Sequence, residues 1–206
     1  MVRFEAWLLK GLLGLMWALP IWMSSLTPQF CTSLETLKDQ LNLTLRRRYL
    51  KHNFPINYTI QVRYEEVFRL NNISKLMNDS ADVRDLQDLW VKVTETDIKR
   101  ILEVLPERHP TRRKYLANLD SLFTIVQQSY QSQNSDERDY PESIENIWER
   151  LGDPDYQGWK SVRPKSLLDN CYRTMHCLFK ECFLRNGSQY NYCNIQHWRQ
   201  AKGTQG

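Results

Sequence analysis

Residues 165–184 read Lys-Ser-Leu-Leu-Asp-Asn-Cys-Tyr-Arg-Thr-Met-His-Cys-Leu-Phe-Lys-Glu-Cys-Phe-Leu. Leu167, Cys171, Met175, Leu178 and Cys182 recur at intervals of three and four, with Leu168, Tyr172 and Phe179 beside them. That spacing predicts an amphipathic helix over about 165–184, whose apolar stripe must be covered by other elements. The elements able to cover it lie upstream.

Leu34, Leu37, Leu41 and Leu45 recur at the same period after Thr32, with Glu35 three residues beyond Thr32 in the form of a capping box. A helix over about 33–51 follows, ended by Phe54-Pro55, because proline restricts its predecessor. Tyr58, Ile60, Val62 and Tyr64 then alternate with polar residues, the pattern of a short strand with one buried face. A second helix is expected over about 82–105 on Val83, Leu86, Leu89, Trp90 and Val93, continued by Ile98, Ile101, Leu102 and Leu105, with Thr94 and Thr96 marking a potential break and Pro106 the end. Trp90 continues this stripe, so it belongs to the core. A third helix, about 112–130, carries Tyr115, Leu119, Leu122, Val126 and Tyr130, and the short link around His109-Pro110 implies antiparallel packing on the second. Residues 131–142 turn polar, a short helix spans about 144–151, and 152–164 read as a turn-rich loop. Four long helices with two long connections make an all-α, up-up-down-down four-helix bundle with a short β segment after its first helix.

The N-terminus bounds the setting. A basic start, the apolar run Gly11 to Met23 and the small residues Ser24 and Ser25 have the layout of a signal peptide, expected to be removed as residues 1–25. The run is interrupted by Pro20 and is shorter than the roughly 20 residues that span a bilayer. The expected organisation is a helical domain over 26–193 and a C-terminal tail over 194–206, released from the cell without membrane insertion. The formal charge of +4 is too balanced for nucleic acid as the main partner.

All five cysteines, Cys31, Cys171, Cys177, Cys182 and Cys193, lie beyond the signal and would reach an oxidising compartment. Two bridges and one spare thiol are the natural arrangement. In an up-up-down-down bundle the last helix runs antiparallel to the first, which brings Cys182 toward Cys31 and sets Cys171 roughly 16 Å farther back. Cys31–Cys182 with Cys177–Cys193 is therefore favoured. Zinc on Cys177, Cys182, Cys193 and His197 matches no compact finger spacing. His176 beside Cys177 does not make a nucleophile and base, since neighbours on a helix do not face each other. No phosphate-binding glycine loop or paired-histidine motif is present, so neither a cofactor nor enzymatic chemistry is expected. Asn42, Asn57, Asn72, Asn78 and Asn186 all sit in acceptor sequons. Arg46, Arg47, Arg48 and Lys51 form a candidate patch for sulfated glycans, weighed against a solvated helix end where the dipole favours cations.

Four stretches carry a family resemblance: Lys51-His-Asn-Phe-Pro-Ile-Asn-Tyr58, Tyr64-Glu-Glu-Val-Phe-Arg-Leu70 with Asn72-Ile-Ser74, Leu89-Trp-Val91, and Val162-Arg-Pro-Lys-Ser-Leu-Leu-Asp-Asn-Cys171. Together they resemble the interleukin-34 family, from about Cys31 to Cys193. The resemblance implies a secreted short-chain four-helix cytokine, a noncovalent homodimer that binds and activates the macrophage colony-stimulating factor receptor tyrosine kinase. Survival, proliferation and differentiation of monocytes and macrophages would follow. Mammalian members carry a long Pro/Ser-rich tail, and a form without it is expected here. The family's cysteine positions match Cys31, Cys171, Cys182 and Cys193, which keeps open the rival pairing Cys31–Cys171 with Cys182–Cys193. Thr96, Lys99, Glu103 and Gln128 are polar positions off the apolar stripes and match stretches the family presents to its receptor. Pro55, Ile56, Tyr58 and Ile60 are the expected part of the dimer interface, since a lone short strand needs cover. The other reading is a secreted helical glycan-binding or carrier protein that activates no receptor.

Overall fold

The computed structural model describes residues 29–134, 138–184 and 190–203. The signal segment, Asn186 and part of the linker after the third bundle helix lie outside them. The described elements are α1 (Gln29–Gln40), α2 (Leu43–Asn53), β1 (Ile60–Val62), α3 (Leu70–Asn78), α4 (Val83–Glu103), α5 (Ala117–Gln133), α6 (Glu142–Gly152), β2 (Lys160–Val162), α7 (Pro164–Leu178), α8 (Lys180–Phe183) and α9 (Ile195–Gly203). A wide π turn, Arg112–Leu116, leads into α5. Helix A of the bundle is α1 with α2, helix B is α4, helix C is the π turn with α5, and helix D is α7 with α8.

Helix A packs on C through α1 and on D through α2, while helix B packs on both C and D. This is the up-up-down-down bundle. The predicted stripes supply its centre: Leu34, Leu37, Leu86, Leu89, Trp90, Leu119, Leu167 and Met175 are all buried. Burying a side chain of that size stabilises by about 1.5–3 kcal/mol before ordering entropy is subtracted. The Trp90 indole N–H donates to the Thr174 hydroxyl over 3.1 Å, so the largest core residue leaves no polar atom unpaired.

Several local expectations need correction. The chain is already helical at Gln29, so Thr32 sits inside helix A and caps nothing; its carbonyl accepts from the Thr36 hydroxyl instead. The helix is also broken after Gln40. Asn42 starts a second segment, accepting from the Leu45 N–H and donating to the Asp39 carbonyl. Helix B runs through Thr94 and Thr96 without interruption, because both hydroxyls donate back to carbonyls of their own helix, Val91 and Val93. Its start is a capping box between Asp82 and Asp85, and Val83 beside it is exposed rather than part of the buried face. Helix D breaks at Phe179, so Cys182 belongs to the separate turn α8 and is half-buried.

Two elements escape the periodicity. Helix α3 ends in a turn where Ser80 adopts φ 81° and the Ala81 N–H reaches back to the Leu76 carbonyl, a Schellman closure with serine where glycine is usual. Strand β2 lies in the stretch read as loop. It pairs antiparallel with β1, Ile60 opposite Val162 and Val62 opposite Lys160, and the Gln61 amide donates to the Ser161 hydroxyl. The strand after helix A is therefore covered by its own chain. The argument for covering it with a second copy loses its basis at Ile60, which is buried. Pro55 and Ile56 stay exposed, Ile56 by 83%, and Tyr58 stacks on Phe54.

Candidate functional site

Lys99 and Glu103 are one turn apart on the solvent side of helix B, and both line a groove along its seam with helix C. The groove consists of two adjoining hollows of about 160 and about 290 Å³ that share Lys99 and Asp120. Helix C contributes Asp120, Thr124 and Gln127 at helical spacing, and Glu95 and Arg112 complete the polar lining. Arg112 is held by donating to the Leu105 carbonyl at the end of helix B. Arg100 pairs with Glu103 at 3.8 Å and lies over the Trp159 ring, which Arg63 also covers. The result is a shallow strip of alternating charge, suited to complementary polar groups on a macromolecule rather than to an enclosed substrate. Thr96 and Gln128 are exposed but outside the lining; the sequence reading missed Asp120, Thr124 and Gln127. Their signal was present as a polar row flanking the Leu119, Phe123 and Val126 stripe.

The basic run at the end of helix A separates into two environments. Arg46 is not part of an open patch: it is buried, its Nε donates to Asp169 over 2.7 Å, and its guanidinium lies 4.4 Å above the Tyr172 ring. Lys165 also binds Asp169, from the first turn of α7. Arg47, Arg48 and Lys51 point outward. The difference follows from period: Arg46 falls on the side of α2 that packs on α7, one turn before the buried Tyr49.

A family model described as Interleukin 34 matches residues 24–187. The chain belongs to the interleukin 34 family. This is a cytokine family, not an enzyme family, and the match spans the four bundle helices with the clasp of β1 on β2.

In this interleukin 34 chain two disulfides close the structure, Cys31 to Cys182 and Cys177 to Cys193, with Cα separations of 5.0 and 4.6 Å. The first ties the first turn of helix A to the end of helix D. The second holds the segment leading to α9 against α7. All three sulfurs of the zinc candidate are thereby engaged, and among the described residues no three His, Cys, Asp or Glu side chains are placed to hold a metal ion. Cys171 is a buried thiol, and burial pushes its pKa well up.

The region read as a tail contains α9, whose Trp198 packs on Tyr172 and His176 and donates its indole N–H to the Tyr192 carbonyl. His176 is enclosed by Tyr172, Phe183, Tyr192 and Trp198, with neither ring nitrogen hydrogen-bonded. Burial, reinforced by Lys38, Arg46 and His197, lowers its pKa to about 3.

Of the sequons, Asn57 and Asn78 are exposed, Asn72 is half-buried on α3, and Asn42 is exposed while its side chain caps α2. Among the described residues no helix is long and apolar enough to cross a membrane.

Proposed function

We propose that this interleukin 34 chain is secreted after loss of a signal segment ending near residue 25, and that its domain over 26–193 binds and activates the macrophage colony-stimulating factor receptor. The observation that carries the reading is the mixed-charge groove on helices B and C, open to solvent and centred on the exposed Lys99 and the half-buried Asp120. Receptor tyrosine kinases respond to being paired, so the acting form is a noncovalent homodimer. The exposed Pro55-Ile56 turn supports that role as an apolar contact beside the β clasp. The two disulfides and the sequons at Asn42, Asn57, Asn72, Asn78 and Asn186 suit an extracellular protein. Survival and differentiation of monocytes and macrophages would be the outcome.

The test is receptor phosphorylation on myeloid cells after addition of the purified secreted chain. Phosphorylation that a soluble receptor ectodomain competes away supports the reading; its absence with a correctly folded dimer refutes it.

A second reading, glycan binding or carriage without receptor activation, is favoured by the outward-facing Arg47, Arg48 and Lys51. Retention on heparin without any receptor phosphorylation would select it.

A further inference from the structure

At the far end of helix A a second cleft has a different character. It lies between the last turns of α2 and the start of helix C and has a volume of about 360 Å³. Leu45, Tyr115 and Pro110 form its apolar walls above the buried Tyr49. The Tyr115 hydroxyl donates to the Gln40 carbonyl, which leaves its half-buried ring facing the cleft, while Tyr49 is buried beneath with its hydroxyl on the Ile101 carbonyl. The rim carries Arg48, His52 and Lys114. Among the described residues none of these three is in an ion pair.

That combination selects among ligands. A cation is repelled by the rim, and a neutral apolar group would desolvate Arg48 and Lys114 without pairing them. A flat ring bearing one strongly acidic group satisfies both halves: it packs on Tyr115 and Pro110 and places its oxygens among charge-assisted donors. The cleft is open on its outer side, which leaves an exit for a chain attached to the ring. We propose that it binds a sulfated tyrosine of a partner polypeptide, the ring against Tyr115, Pro110 and Leu45 and the sulfate on Arg48 and Lys114. The choice of sulfate rests on the reading of the chain as secreted, because tyrosine sulfation acts on polypeptides in the secretory route.

The experiment uses the full secreted chain and a capped Gly-Ser-sulfotyrosine-Ser-Gly peptide, with binding followed by calorimetry. Expected is affinity about tenfold or more above that of the unsulfated peptide, and a loss of about tenfold in each of Arg48→Glu and Lys114→Glu, as for removal of one charge-assisted contact. Arg47→Glu, one residue away but outside the cleft, should leave affinity unchanged, and thermal melts should show all three variants folded. Equal binding of the unsulfated peptide overturns the proposal. Equal loss in Arg47→Glu also overturns it, assigning the effect to the general basic face that a sulfated glycan would use. Para-cresyl sulfate binding as tightly as the peptide overturns the polypeptide source in favour of a small-molecule site. Purified components alone are measured, so failure here leaves receptor phosphorylation as a separate result.

Discussion

Arg46 and Asp169 form an ion pair within the seam between helices A and D, 2.7 Å from Nε to carboxylate, with Tyr172 beneath the guanidinium. Such a pair is worth little against an apolar replacement of both partners, yet removing one strands the other charge. Asp169→Ala should therefore cost about 3–5 kcal/mol, and the double change Arg46→Met with Asp169→Leu far less. Urea denaturation of the three proteins measures this. Equal loss in both variants would show that the pair itself, not the stranded charge, matters.

His176 makes the fold sensitive to acid. In the unfolded chain its imidazole takes a proton near pH 6.5, whereas in the aromatic cage it does so only near 3. The unfolded state thus binds more protons between those values, so the contribution is complete above 6.5 and is lost as pH falls toward 3. The slope from this group is about 1.4 kcal/mol per pH unit. Denaturation midpoints across that window should fall more steeply for the native chain than for His176→Phe. Parallel curves would remove His176 as the cause.

Removing the hydroxyl that pairs the Trp90 indole should be felt even though shape is kept. Thr174→Val leaves a buried N–H unpaired and should cost about 1–3 kcal/mol, whereas Thr174→Ser should cost about 1 kcal/mol or less. Thermal unfolding of both variants decides it, and an undisturbed Thr174→Val would mean that the indole finds another acceptor.

Ser80 sits in the left-handed region at the close of α3. Ser80→Gly should raise stability by up to about 1 kcal/mol, because glycine meets no Cβ penalty there. A lower melting temperature would show that the serine is held by something worth more than its backbone conformation costs.

On the proposed receptor face, Lys99→Glu with Glu103→Lys should weaken binding of the receptor ectodomain by about tenfold or more, while Thr96→Ala with Gln128→Ala should leave it within about threefold. Surface plasmon resonance on the two double variants separates the groove from its surroundings. The reverse pattern would place the contact on the outer faces of the helices.

The bundle was readable because each of its helices carries a long stripe at one period, from Leu34 in helix A to Met175 in helix D. What escaped was short or locally ambiguous. Helix α3 spans nine residues and ends on serine, so neither length nor a glycine stop announced it. Strand β2 is three residues with a burial pattern that no alternation test resolves. The Thr32 and Glu35 box failed because the helix had already begun. Arg46 misled because three consecutive arginines read as one surface, although a helix turns 100° per residue and necessarily points one of them elsewhere. The groove residues Asp120, Thr124 and Gln127 were ordinary polar positions until helix B came to lie beside them.

The clasp of β1 on β2 joins residues about a hundred positions apart, so its closure entropy is met only after the chain between has been gathered in. Each of its strands belongs to a different crossover, one leaving helix A and the other approaching helix D. Once zipped, the two crossovers cease to be independent loops and become a single strap laid against helix B. A bundle whose helices have found one another in the wrong order therefore has no way to fasten that strap.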